Sequence, residues 1–159
     1  IASRVNRFCP GLGRGKLFRG KSMANTKPIG VAFSDQDIVG AQYLLADEQI
    51  GYTAAAQGTV TQLTSKSTGV TLNKSAGAIT MNNASLATAT NATFTLTNSF
   101  ISANDTVILT LASGQTTPGS YNVFANALAA GSVSITLRNI SGGSLSEAIV
   151  VNFAILHCS

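Results

Sequence analysis

The chain has 159 residues, enough for one domain with a core of its own. Hydrophobic residues make up 45% of it and charged residues only 10%, where about 25% is typical of globular domains. Because the exposed faces of helices usually carry charged side chains, this composition argues against a helical enzyme. It favours sheets whose solvent face is built from Ser, Thr and Asn.

The first 22 residues form a basic, glycine-rich arm without apolar periodicity. Its six cations stand without a single acid, and they are Arg4, Arg7, Arg14, Lys16, Arg19 and Lys21. The rest of the chain has a net charge of −2, so nucleic-acid binding by the body is not supported. We predict that residues 1–22 are disordered. Two interpretations stay open: an arm that contacts phosphates or an acidic partner, or a leader upstream of Met23 outside the working protein.

Residues Gly15 to Ser22, GKLFRGKS, match the phosphate-loop pattern G-x-x-x-x-G-K-[ST]. That loop needs a buried strand before it and a helix after it. The residues before it carry Arg and Pro, and Pro28 would break a helix starting at Ser22 within about two turns. We therefore interpret the match as coincidental and expect no nucleotide and no other cofactor.

Residues 23–57 are a mixed segment in which short apolar pieces alternate with polar ones. This pattern predicts an extended or partly helical connector with little core of its own. Such a segment can gain order by lying on a partner, so we expect residues 23–57 to be an anchoring segment. Its candidate partner-binding residues are Ile29, Val31, Phe33, Ile38, Val39, Tyr43, Leu44 and Leu45.

From residue 58 onward the pattern is that of strands. Phe94 and Leu96 alternate with threonines, the period of a half-buried strand, whereas Ile108 predicts a strand that is buried on both faces. The candidate strands are 59–63, 69–73, 78–82, 93–97, 107–111, 121–125, 132–138 and 151–155. Turn-rich segments separate them, and no convincing helix lies between. The predicted fold class is all-β, with residues 58–159 forming an antiparallel β-sandwich or jelly-roll-like domain behind the flexible arm.

Candidate catalytic residues are few. His157 is the only histidine, and its place near the C-terminus predicts a frayed or exposed side chain. Asp105 and Glu147 are the only acids within the strand region, each beside a turn, and we expect them to be solvated or capping. Cys9 and Cys158 are expected to be free thiols, since neither has the spacing of metal ligands. We therefore expect no enzyme activity and no metal.

Two further features bear on binding. Tyr121 and Phe124 could form part of a binding face, but in a domain with so few aromatics we expect at least one of them to be core. No stretch approaches the roughly 18 apolar residues of a membrane span.

Residues 144–147 fit a capping box, although strand-like residues come too soon after it for more than one helical turn.

Several strings of the sequence resemble a domain of tailed-phage virion proteins, including those of podophages. These strings are TSKSTGVTLNK (64–74), GAITM (77–81), FTLTNS (94–99), DTV (105–107), VSITLRNIS (133–141) and SLSEA (144–148), with KPIGVAF (27–33) near the start. The resemblance implies a capsid decoration protein or head-fibre subunit that resides in the virion and binds the major capsid protein or another virion protein. It also implies a homo-oligomer, with a trimer favoured, and it transfers no catalytic residues.

An alternative is a tail-fibre or adhesion module that binds carbohydrate on the host surface. Uncovered edge strands of a low-charge sheet can pair across subunits, which agrees with the implied oligomer.

Overall fold

Alternating apolar residues form eight strands in the computed structural model, which describes residues 49–158. A three-residue 3-10 turn, Ala54–Ala56, precedes the first strand. The strands are β1 (Gln57–Thr61), β2 (Val70–Thr71), β3 (Ala76–Thr80), β4 (Asn91–Thr97), β5 (Thr106–Ser113), β6 (Tyr121–Ala129), β7 (Ser132–Asn139) and β8 (Val150–Leu156).

The strands form two sheets of four, with the orders β1-β3-β8-β5 and β2-β4-β7-β6. The all-β prediction is confirmed. The prediction of a wholly antiparallel arrangement is wrong, because β1 pairs with β3 and β2 pairs with β4 in parallel. The chain changes sheets at six of its seven connections, so β1 and β3 are joined through β2 in the other sheet. Period-two alternation is the same in parallel and antiparallel strands and therefore carries no information on direction.

The inward-facing residues of the two sheets form one apolar cluster. In β4 the exposed threonines alternate strictly with the buried Ala92, Phe94 and Leu96. Val133 and Ile135 of β7 are buried opposite Leu96 and Phe94 in the register. The alternation that the sequence shows is thus the alternation between this cluster and solvent.

Ile108 departs from the sequence-based prediction. It is 51% exposed on the outer face of β5, while Val107 and Leu109 on the inner face are half-buried. The prediction that this strand is buried on both faces is therefore wrong. β5 is an edge strand of its sheet, and nothing among residues 49–158 covers the outer side of Ile108 completely.

Two glycines permit close approaches that no other residue would allow. A Cβ on Gly77 of β3 would lie 2.5 Å from the carbonyl oxygen of Gly58. Gly114, after β5, has a φ of +93°, and a Cβ there would lie 2.2 Å from the carbonyl oxygen of Ala148. Gly114 therefore meets both requirements for glycine, a left-handed backbone and a close neighbour.

Candidate functional site

The predicted partner-binding residues cannot be placed, because they lie outside the described residues. The same holds for the basic arm and for the phosphate-loop match within it. The residues concerned in the anchoring segment are Ile29, Val31, Phe33, Ile38, Val39, Tyr43, Leu44 and Leu45.

Asp105 is the centre of a polar cluster at the start of β5. Its Oδ2 accepts a hydrogen bond from the Ser102 amide at 2.8 Å, and its Oδ1 accepts one from the Cys158 amide at 3.3 Å. His157 Nδ1 lies 2.8 Å from Oδ2. The carboxylate is 1% exposed, so Asp105 caps its turn and is not solvated. The Ser102 amide, above all, and then His157 and the Cys158 amide lower the pKa of this carboxyl despite its burial.

The Asp105 cluster also sets the position of the end of the chain. His157, predicted to be frayed or exposed, is 55% exposed but is paired with Asp105. The Cys158 sulfur lies 3.8 Å from the Thr106 hydroxyl oxygen and 3.7 Å from the Leu156 carbonyl oxygen. Neither partner is the imidazole, so the described geometry contains no thiol–imidazole pair of the kind that activates a nucleophile. Within residues 49–158 no three His, Cys, Asp or Glu side chains are placed to hold a metal ion.

Lys66 is the centre of a second polar cluster, which the sequence did not reveal. Its side chain is only 3% exposed, and its ammonium donates to the carbonyl oxygen of Asn82 at 2.5 Å and to that of Glu147. Burial lowers the pKa of Lys66, and the Glu147 carboxylate opposes this effect. Lys66 therefore connects three separate loops by hydrogen bonds, namely its own loop and those that contain Asn82 and Glu147.

Glu147 continues this cluster toward the wide loop after β5. Its Oε1 accepts a hydrogen bond from the Thr116 amide at 2.8 Å, and hydrogen bonding by Thr116 is the main reason that its pKa is lowered. Tyr121, beside it, is 4% exposed, and burial together with the Glu147 carboxylate raises the pKa of the phenol. The capping expectation for Glu147 is confirmed, but Glu147 caps a loop amide and no helix comes after it among the described residues.

The segment before β1 lies across the outer face of the first sheet. The Tyr52 hydroxyl donates to the carbonyl oxygen of Ile155 in β8. On one side of Tyr52 is an apolar groove of about 350 Å³ whose lining includes Ile50, Ile108 and Leu156. These three side chains are 72%, 51% and 57% exposed, which is high for large apolar residues.

The outer face of the second sheet is polar and carries one exposed aromatic ring. Phe124 of β6 is 41% exposed and lies opposite Thr136 of β7. The Thr136 hydroxyl donates to Asn126 Oδ1 at 3.0 Å and lies 2.8 Å from the hydroxyl of Thr93. Tyr121 is core and Phe124 is not, so the prediction that at least one of the two is core is confirmed.

No helix among the described residues has the length and apolar character needed to span a membrane. Comparison of the chain with protein-family models, with curated proteins and with solved structures finds no significant match.

Proposed function

We propose that this chain is a structural virion protein, either a capsid decoration protein or a head-fibre subunit, with no catalytic role. The proposal rests on the resemblance of its strings to tailed-phage virion proteins. One observation supports the use of those strings as the mark of a single module. Lys66 in the string 64–74 donates to Glu147 in the string 144–148, although 81 residues separate them. These two stretches, 64–74 and 144–148, are therefore in contact in the folded chain.

For the fold, we propose a β-sandwich whose two sheets face each other across the shared apolar cluster. The frequent changes of sheet along the chain support this proposal, because a jelly-roll-like path also alternates between two sheets. The parallel pairs β1–β3 and β2–β4 are a departure from the antiparallel order of such folds. A module of this kind, with Thr and Ser on the outward faces of its strands, suits display on a particle, because its surface has few charges to attract other molecules.

Attachment is assigned to the anchoring segment, residues 23–57, with the major capsid protein or another virion protein as partner. Of this segment the structure describes residues 49–57, in which the Tyr52 hydroxyl donates to the carbonyl oxygen of Ile155 in β8.

The test is binding of the full chain to the parent particle by cosedimentation. We expect the variant with Phe33→Asp and Leu44→Asp to lose binding. The matched control is the double variant with Leu63→Asp and Phe100→Asp, which adds the same two charges at side chains that are 85% and 48% exposed. If the wild type fails to cosediment, or if the variant with Phe33→Asp and Leu44→Asp binds as well as this control does, the proposal is wrong.

The alternative function, carbohydrate binding by an adhesion module, is favoured by Phe124. An exposed ring on the same strand face as the exposed Asn126 combines an apolar platform with an amide group, and a sugar ring can contact both. A glycan array tests it directly. Hits that disappear in Phe124→Ala but persist in Phe100→Ala would favour this function, and an array without hits would count against it.

A further inference from the structure

The outer face of the second sheet carries a single charged side chain, that of Arg138 in β7. Arg138 is exposed and follows the buried Leu137, so it lies on the outward face of its strand. The strands β2, β4, β6 and β7 contain no Asp or Glu and no other Lys or Arg. Within residues 49–158 no carboxylate lies at ion-pair distance from the Arg138 guanidinium. This cation therefore remains available to an anionic ligand.

Amide side chains lie on both sides of Arg138. Asn122 of β6 and Asn91 of β4 are directly opposite it in the register, and both are exposed. The Cβ atoms of residues paired in this way are about 4.5–5.5 Å apart. The three side chains thus form one row of hydrogen-bonding groups across three strands. A guanidinium in such a row can hold a carboxylate while the amides bond to neighbouring hydroxyl groups.

The exposed ring of Phe124 lies next to this row. Phe124 is 41% exposed and pairs with Thr136, the second residue before Arg138 in β7. Diagonal neighbours of this kind are about 7–8 Å apart, a distance within reach of an aromatic ring and a long side chain. On the other side of the ring Asn126 is exposed, and its Oδ1 accepts a hydrogen bond from the Thr136 hydroxyl at 3.0 Å. The NH₂ group of Asn126 is thereby left to donate to a ligand.

We propose that this face binds an acidic polysaccharide, with the carboxylate of a sugar on Arg138 and the C–H face of a sugar on Phe124. A guanidinium holds a carboxylate by two parallel hydrogen bonds, and an exposed ring provides a flat apolar surface for the sugar. The amides of Asn91, Asn122 and Asn126 match its hydroxyl groups. The site rests on the carbohydrate-binding function given above as the alternative, and it does not depend on the virion role.

Other classes of ligand match this face less well. A nucleic acid is held by several cations along its phosphates, and this sheet has only Arg138. A protein partner needs about 800 Å² with an apolar centre, and Phe124 is the only large apolar side chain exposed on these four strands. A polysaccharide needs few contacts per sugar and repeats them along its chain.

A single site of this kind binds weakly. An exposed ion pair contributes little in water and is screened by salt. We expect a Kd on the order of 1 mM for a short acidic oligosaccharide. A long polymer presents many such sugars, so its apparent affinity is higher.

Calorimetric titration of the full chain with polygalacturonate tests the site, and the same polymer with its carboxyl groups reduced to alcohols is the neutral counterpart. The variant is Arg138→Gln, and the matched control is Arg14→Gln, which removes the same charge from the basic arm. We expect Arg138→Gln to bind the acidic polymer at least about fivefold more weakly than the wild type, and the control to bind within about twofold of it. The wild type should likewise bind the reduced polymer at least about fivefold more weakly.

Amide chemical shifts of the wild type provide a measurement that does not depend on a folded variant. A short galacturonate oligosaccharide should change the shifts of β4, β6 and β7. Changes confined to the first sheet or to residues 1–22 would overturn the site, as would equal losses of binding in the two glutamine variants. Stronger binding to polyuridylate than to polygalacturonate, lost in Arg138→Gln, would assign the face to nucleic acid instead.

The two polymers also separate a failure of this site from a failure of carbohydrate binding as such. Equal binding of the acidic and the reduced polymer would overturn the assignment to acidic sugars, while carbohydrate binding would stand. A wild type that binds neither polymer would overturn the site, and the glycan array then decides separately whether the chain binds any sugar.

Discussion

Replacement of Lys66 by methionine tests the role assigned to the buried ammonium. Methionine keeps the apolar stem but removes both donors, so the carbonyl oxygens of Asn82 and Glu147 remain buried without their partner. An unsatisfied buried acceptor costs about 1–3 kcal/mol. Part of this loss in stability is recovered, because the variant no longer has to bury a charged group. We expect the free energy of unfolding to fall by about 2–4 kcal/mol, a large share of the stability of a domain of this size.

Urea denaturation of the full chain measures this loss, as a shift in the midpoint at constant slope. The control is Lys74→Met, because Lys74 also donates to one main-chain carbonyl, that of Ala55, but its hydrogen bond is exposed to solvent. Water can replace that donor, so the control should lose about 0.5 kcal/mol or less. Equal losses in the two variants would refute the argument that burial makes the Lys66 contacts important.

Three further predictions concern single residues around the sheets. Gly114→Ala should destabilise the fold by about 2 kcal/mol or more, because its Cβ would meet the Ala148 carbonyl. Thermal unfolding measures this loss. It should be smaller for the control Gly119→Ala, because Gly119 has a φ of +82° but open space around it. The lowered pKa of Asp105 means that this group contributes stability above its unfolded value of 3.8 and loses it as the pH falls through the folded value. Between pH 6 and pH 2 the urea midpoint should therefore fall less in Asp105→Asn than in the wild type. An equal fall in the two proteins would contradict this. The raised pKa of Tyr121 has the opposite consequence, because its contribution to stability is complete below the unfolded value of 10.0 and is lost as the pH rises above it. Tyr121→Phe should therefore reduce the fall in the urea midpoint at alkaline pH. An equal fall in the variant and the wild type would disprove the effect.

The existence and approximate position of every strand could be predicted from the sequence, because inward and outward residues differ so clearly in composition. Phe94 and Leu96, for example, stand between threonines and are both buried. The direction of pairing could not be predicted, since period-two alternation does not distinguish β1 beside β3 in parallel from the antiparallel alternative. The sequence pattern misplaces Ile108, because an apolar residue on an edge strand has the same pattern as one buried on two faces.

The polar clusters are less accessible to sequence analysis than the strands. Asp105 and Glu147 stand beside turns, which indicates capping but does not reveal that Asp105 is buried and paired with His157. Lys66 gives no signal at all, because a lysine in a Thr- and Ser-rich loop is ordinarily solvated. Its burial depends on Asn82 and Glu147, which reach it only when the sheets have formed.

The virion role is tested most directly by cryo-electron microscopy of the parent particle. If the chain is a decoration protein or a head-fibre subunit, the map will show two four-stranded sheets at the particle surface, in symmetry-related copies, with residues 23–57 leading to the capsid. A particle map without this domain, together with peptide analysis that finds no copies of the chain in the purified particle, would contradict the account.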